Sequence, residues 1–316
     1  MCAYSRLIIF LWLITFGLIS TAMLIAQRLP RAAELAYVSS AGLHPAIYRM
    51  EIERNLHVPL TDDAFAAYAP AWSPDGEFIA YYAIREGSRD LYLMNVLGRD
   101  VRRLTNNAAV NESPAWSPDG TRLAFASDYG GSYGIFTLEL NCQQTFEQCA
   151  HRITQIDDFW YASPHWSPDG TQIVFASTRS SNPLASNASS DIFIIHQDGT
   201  NLRLLAAKLG EDYSPAWSPD GAHIIFAGQS IRTRNMTIYQ VPTSCLDLPA
   251  GCADQVQEHI SGIVNLTPVW SPDGHWIIFT SIQRGNFEIF LASADGNNLR
   301  QLTQTPADES SPRWRP

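Results

Sequence analysis

The sequence predicts an all-β fold, a six-bladed β-propeller preceded by one N-terminal hydrophobic helix, and three observations predict it. Tryptophan recurs at Trp72, Trp116, Trp166, Trp217, Trp270 and Trp314, at intervals of 44 to 53 residues, which is the length of a four-stranded propeller blade. The first five sit in the string Trp-Ser-Pro-Asp-Gly, ending at Gly76, Gly120, Gly170, Gly221 and Gly274. Between these strings the chain alternates short apolar runs with turn residues, and no amphipathic pattern of helical length appears after residue 33.

Residues 1–33 are a targeting or anchoring segment with a short linker. Leu7 to Ala26 is free of charge and long enough to cross a hydrocarbon core as a helix. Ser20-Thr21-Ala22 is a small-residue site for cleavage, but the apolar run continues past it, so an uncleaved signal anchor is favoured over a signal peptide. Arg6 on one side and Arg28 and Arg31 on the other leave the orientation open. Cys2 is a poor candidate for lipidation, since one cysteine is no motif.

The blades occupy residues 34–316. In Ser-Pro-Asp-Gly, proline presets φ at the first central turn position, aspartate suits the second, and glycine supplies the left-handed residue of a tight hairpin. A short apolar second strand follows each turn: FIAYYA from Phe78, LAFAS from Leu123, IVFAS from Ile173, IIFAG from Ile224 and IIFTS from Ile277. Third strands are DLYLM, GIFTL, DIFII, TIYQV and EIFLA, and fourth strands end in RLT, RIT, RLL, HIS and QLT. Trp314 opens a sixth unit two residues before the end, and residues 34–61 supply its remainder as ELAYVS, AIYRM and HVPLT. The expected closure is therefore 1+3, with an inner strand from the C-terminus and three outer strands from the N-terminus.

Four cysteines form two matched pairs, Cys142 with Cys149 and Cys245 with Cys252, each enclosing six residues. Short loops closed this way suit disulfides in an oxidising compartment, and the spacing is not that of a zinc site. Both pairs fall where other blades use an Asp-Gly turn between third and fourth strands. The body of the protein is therefore expected outside the cytoplasm, periplasmic or extracellular.

The repeated pattern of a proline, Trp-Ser-Pro-Asp-Gly, an apolar strand, Asp-Ile-Phe or its variants, and a closing Leu-Thr resembles the TolB-type propeller family, and is similar to the propellers of some prolyl-peptidase relatives. The resemblance covers residues 34–316. It implies a propeller fold and, from the family, a role in binding envelope proteins. TolB itself carries an α/β domain ahead of its propeller, for which residues 1–33 leave no room, and a propeller scaffold hosts many activities.

Candidate chemistry is sparse. The six tryptophans are read as wedges between neighbouring blades. Gly130 to Gly134 spells Gly-Gly-Ser-Tyr-Gly, formally a nucleophile elbow, but Ser132 falls between two strands of one blade and not between a strand and a helix. The eight histidines show no metal spacing. His165 fills the slot before Trp166 where three other blades have alanine, and could face the central tunnel. Sequons at Asn111, Asn187, Asn235 and Asn265 carry no weight in a chain this rich in serine and asparagine.

Five residues before each tryptophan stand Ala67, Asn111, Tyr161, Asp212, Asn265 and Glu309. Read as loop residues, they ring one mouth of the channel, with Asp157, Asp158, Trp160 and Asp308 nearby. An acid and amide ring of this kind suits Ca²⁺ or a cationic group, while the plainer alternative is a set of solvated polar loops.

Composition bounds the function. The formal net charge is −10, and residues 1–33 contribute only arginines, so the propeller is more acidic still, which argues against nucleic acid and anionic headgroups as partners. No catalytic motif stands in a credible context and no cofactor is expected. The leading expectation is a non-catalytic, membrane-tethered extracytoplasmic platform that binds a protein or cell-envelope component. The alternatives are a channel-mouth enzyme, such as a metal-dependent hydrolase or lyase, and a glycan-binding lectin using Tyr161 and Trp160. The chain enters its sixth blade at the second strand, so an anchor joined by about seven residues, reaching at most about 25 Å, would hold the Ser-Pro-Asp-Gly face and both cysteine loops toward the bilayer. The opposite mouth and the link from Arg179 to Ser190 would face outward.

Overall fold

The computed structural model describes residues 33–157, 159–178, 189–206, 210–230, 232–248, 251–282 and 285–316. The hydrophobic segment, Asp158 and residues 179–188 of the Ser/Asn-rich link lie outside the described residues.

Among the described residues, twenty-four strands fall into six four-stranded antiparallel sheets. Strands β1 (Glu34–Ser39), β2 (Ala46–Glu51) and β3 (Leu56–Pro59) are followed by blade 1, built from β4 (Ala66–Trp72), β5 (Phe78–Arg85), β6 (Ser88–Asn95) and β7 (Arg102–Arg103). Blade 2 holds β8 (Asn111–Trp116), β9 (Arg122–Ser127), β10 (Gly134–Glu139) and β11 (Ala150–Arg152). Blade 3 holds β12 (Tyr161–Trp166), β13 (Gln172–Thr178), β14 (Ser190–His196) and β15 (Arg203–Ala206). Blade 4 holds β16 (Asp212–Trp217), β17 (His223–Gln229), β18 (Met236–Pro242) and β19 (Gln257–Ile260). Blade 5 holds β20 (Asn265–Trp270), β21 (Trp276–Ile282), β22 (Phe287–Ser293) and β23 (Arg300–Gln301). The last strand, β24 (Glu309–Trp314), pairs with β1 in the sheet ordered β24-β1-β2-β3, with Leu35 opposite Trp314 and Ser39 opposite Glu309. The inner strands touch in the order β4, β8, β12, β16, β20, β24 and back to β4, which makes a ring.

Each Ser-Pro-Asp-Gly turn is locked by its own side chains. Ser73 Oγ donates to Asp75 Oδ1 at 2.5 Å and accepts from the Phe78 amide at 2.9 Å, while Asp75 Oδ1 accepts from the Glu77 amide at 3.0 Å. The same three bonds recur around Ser117, Ser167, Ser218 and Ser271. The turn glycines have φ of 69° to 71°, which is why a residue without Cβ closes every turn.

Packing is six-fold as well. The middle of each second strand carries a buried aromatic, Tyr37, Tyr81, Phe125, Phe175, Phe226 or Phe279. Each sits opposite an aromatic of the third strand, Tyr48, Tyr92, Phe136, Phe193, Tyr239 or Phe290, with ring centroids 5.7 to 6.1 Å apart. Such cross-strand pairs fix register as well as adding contact energy. The apolar clusters lie between neighbouring blades: Trp217 packs against Val174, Ile192 and Ile194 of blade 3, and Trp166 against Ala124, Ala126 and Ile135 of blade 2. All but Trp116 are less than a tenth exposed, as wedges should be.

Cys142–Cys149 and Cys245–Cys252 are disulfides. Their loops join third to fourth strands, at the end of the blade that carries the Ser-Pro-Asp-Gly turn: the Leu140 amide donates to Thr121 O and the Thr243 amide to Ala222 O, both residues following turn glycines. Helix among the described residues is confined to single turns at Phe146–Cys149, Thr243–Asp247 and Ala253–Gln255. No helix among them is long and apolar enough to cross a membrane.

Candidate functional site

The residues five before each tryptophan are not loop residues ringing a mouth. Each of Asn111, Tyr161, Asp212, Asn265 and Glu309 is the first residue of an inner strand, at most 3% exposed, and Ala67 is equally buried. Strand register explains this. Each lies opposite the end of its blade's second strand, as in Asn111↔Ser127, Tyr161↔Ser177, Asn265↔Ser281 and Glu309↔Ser39. Ser127 Oγ donates to Asn111 Oδ1 at 2.9 Å, Ser281 Oγ to Asn265 Oδ1 at 2.8 Å, and Ser39 Oγ to Glu309 Oε1 at 3.2 Å. Asn111 also donates to Ala109 O in the incoming loop, and Asn265 to Ile260 O at the end of β19. Ser190 Oγ bridges the backbone of Asp212, accepting from its amide at 3.0 Å and donating to its carbonyl at 2.8 Å. Tyr161 OH donates to Asp157 Oδ2 at 2.6 Å, so it offers no exposed stacking face to a sugar. Trp160, half-buried, packs edge-on against Tyr133 with centroids 5.9 Å apart. The Asn111, Asn265 and Glu309 side chains clamp the start of their inner strands.

Ser132 is likewise engaged, its carbonyl and hydroxyl accepting from Arg152 Nη1 and Nη2. Among the described residues no group of three His, Cys, Asp or Glu is placed to hold a metal.

The concave feature that all six inner strands share is the central channel, a cavity of about 580 Å³. Its wall comes from one local device. Three residues before each tryptophan, the strand carries a non-glycine residue in the left-handed region: Ala69, Ser113, Ser163, Ser214, Thr267 and Ser311, with φ of 48° to 56°. The register with the second strand slips by one residue at each. A proline follows in every blade, which is tolerated because the inner strand's edge toward the axis has no ladder partner. Bulge and proline turn hydroxyls and small side chains toward the axis.

The slot just before each tryptophan also lines the cavity, as Ala71, Ala115, His165, Ala216, Val269 and Arg313. His165 thus does face the tunnel. Its Nδ1 lies 3.1 Å from Trp166 O and 3.4 Å from the Trp217 amide nitrogen. Burial, reinforced by the Arg313 charge, pushes its pKa down to about 4, so it is neutral at physiological pH. Arg313 stands three blades away, on the opposite wall. Desolvation lowers its pKa to about 10, which leaves it a cation. Among the described residues, no Asp or Glu side chain appears in the lining.

The matched family is described as TolB beta propeller domain, over residues 20–185 and 158–316. A Tol-Pal system protein TolB of Francisella tularensis subsp. holarctica (strain OSU18) is 29% identical over 298 residues, covering 90% of this chain and 63% of that protein. Across curated relatives, the alignments span 25% to 63% of their length. The crystal structure of TolB from Acinetobacter baumannii superposes with a TM-score of 0.72 at 20% identity, over 90% of this chain and 67% of that one. An oligogalacturonate lyase in complex with manganese shares the shape at a TM-score of 0.58 and 14% identity, over 86% of this chain and 74% of that one, so the fold alone does not separate binding from catalysis.

Proposed function

Because this chain belongs to the TolB β-propeller family, we propose that it is a non-catalytic platform outside the cytoplasm that binds a protein or other component of the cell envelope, in the manner of a Tol-Pal system propeller. The observation that carries this reading is the way the polar residues are used. Among the described residues, the side chains of Asn111, Asn265 and Glu309 at the strand starts are buried and hydrogen-bonded to the second strand of their own blade, and the channel offers one cationic side chain, one neutral imidazole and hydroxyls. That inventory lacks a nucleophile beside a base. The two disulfides support an oxidising compartment.

The finer reading is that Leu7 to Ala26 tethers the ring to a membrane and that the blade made from both chain ends latches it 1+3. Glu34 O accepts from the Arg315 amide at 2.9 Å, and Arg315 Nε donates to Gly76 O at 3.2 Å. The chain thus joins the ring beside a Ser-Pro-Asp-Gly turn, which supports a tether at the turn face and an outward mouth face. Fractionation and protease access on intact spheroplasts test this, with a saturable pull-down from envelope extract. The reading expects a protected N-terminal fragment in the membrane and a discrete envelope partner. A protein found wholly in the cytoplasm, or turnover in a hydrolase screen lost on substitution at Arg313 or His165, would contradict it.

A further inference from the structure

Several arginines have carboxylate partners: Arg89 pairs with Glu112, Arg103 with Asp90, and Arg315 with Glu34. Arg313 pairs with no carboxylate side chain among the described residues. It stands on β24 in the wall of the central channel, and its guanidinium makes one hydrogen bond there, from Nη1 to Pro312 O at 2.9 Å. A guanidinium has five N–H donors in a planar fork, so most of this fork opens on the cavity unmatched. Arg313 is half-buried, and it lines the channel.

A cation partly withdrawn from bulk water in this way favours a partner of opposite charge. Every other charged side chain among the described residues is kept out of the lining, although the protein carries a net charge of −10. The hydroxyls that the left-handed residues bring to the wall, Ser163, Ser214 and Ser311 among them, can donate to the same guest. His165, neutral across the channel, adds no repulsion to an anion and leaves Arg313 as the one charged side chain there.

We infer that the central channel is a binding site for a small oxyanion, a phosphate or carboxylate group, which Arg313 anchors by its guanidinium fork while channel hydroxyls complete the shell. Anion binding here does not depend on the identity of the envelope partner. A free anion and the acidic end of a larger ligand share this chemistry, and a cavity of about 580 Å³ admits either group.

The test is titration of the purified full-length protein with inorganic phosphate and, separately, acetate, at fixed ionic strength in chloride. Thermal midpoint and intrinsic fluorescence are read together, since Trp72, Trp116 and Trp314 border the cavity. Wild type is expected to respond saturably to at least one anion. Arg313→Met should weaken that response about tenfold or more, and Arg313→Lys less, because lysine keeps the charge but loses the fork. Arg54→Met, at an arginine 77% exposed on its side chain, should titrate like wild type. With no oxyanion present Arg313→Met should be at least as stable as wild type, since it removes an unpaired charge. Should Met not be tolerated, Arg313→Gln serves the same comparison. A response to phosphate alone assigns a phosphate group, and one to acetate alone a carboxylate. No saturable response in wild type, or an Arg313→Met protein that titrates like wild type, overturns the inference.

Discussion

Glu309 opens the C-terminal strand and is 2% exposed. Its Oε1 accepts from Thr305 Oγ1 at 2.7 Å and from Ser39 Oγ at 3.2 Å, while Oε2 is buried without a protein hydrogen bond. Glu288, also buried, shares Thr305 with it, accepting from that residue's amide at 2.8 Å. Burial pushes the Glu309 pKa up, the Thr305 and Ser39 bonds pull it back, and the Glu288 and Asp308 charges add to the rise, giving about 7. The folded-state pKa is thus above the ordinary value of 4.5, so folding favours the protonated acid. Below pH 4.5 both states are protonated and the group costs nothing. As pH rises toward 7 the unfolded state ionises first, and stability falls until the cost is complete above pH 7. Each tenfold change in proton affinity corresponds to about 1.4 kcal/mol, so that cost is on the order of 3 kcal/mol. Glu309→Gln keeps the Oε1 acceptor and cannot ionise. In urea unfolding followed by tryptophan fluorescence, the variant should match wild type at pH 4.5 and exceed it by about 2 to 3 kcal/mol at pH 8. A variant less stable than wild type by the same amount at both pH values would show that an ionised carboxylate holds Ser39 and Thr305, and would refute this reasoning.

Arg315 ties β24 to its neighbours through Glu34 Oε2 at 2.8 Å, Gly76 O at 3.2 Å and the Trp72 ring at 5.4 Å; Arg315→Ala should cost about 1 to 2 kcal/mol and speed hydrogen exchange in β1 and β24 before other strands. Replacing Cys142 and Cys149 together by serine should cost about 2.5 kcal/mol for a loop of this length, and the unreduced, unfolded protein should show no free thiol besides Cys2; four more would sink the pairing. The turn aspartates titrate in the opposite sense to Glu309. The Ser117 hydroxyl holds Asp119 down at about 2, and the Ser73, Ser167 and Ser218 hydroxyls lower Asp75, Asp169 and Asp220. Their contribution is present above the unfolded carboxylate pKa and lost as pH falls toward 2, so an acid titration of Ser117→Ala should lose less stability over that window than wild type, and an equal loss would count against it.

The ring is readable because it is written five times over. Trp-Ser-Pro-Asp-Gly specifies a turn by side-chain chemistry that does not depend on the rest of the protein, and Tyr81, Phe125 and their equivalents mark each second strand. The site is not readable in the same way. Asn111, Asp212, Asn265 and Glu309 look like solvent-facing loop residues because polar side chains at strand ends usually are. For Asn111, Asn265 and Glu309 the residue opposite on the second strand is a serine, Ser127, Ser281 or Ser39, and that coincidence is the available sign of a clamp. Likewise, His165 stands out in its slot, but Arg313 fills the same slot in Pro-Arg-Trp, where the Trp-Ser-Pro-Asp-Gly string is broken. Only closing the ring sets those two side chains across one channel, and sequence spacing gives no measure of distance through a six-fold axis.

The most direct test of the platform reading is site-specific photocrosslinking in cells. A benzoylphenylalanine placed at Ile156 or Ile263, exposed by 78% and 68% in loops that lead into inner strands, samples the mouth face, and one at Leu97 or Leu248, exposed by 60% and 49%, samples the turn end of the blades. A discrete adduct with an envelope component from the mouth positions, and none from the turn positions, is the predicted result. Adducts with cytoplasmic proteins, or the same partner captured from the turn positions alone, would contradict the account.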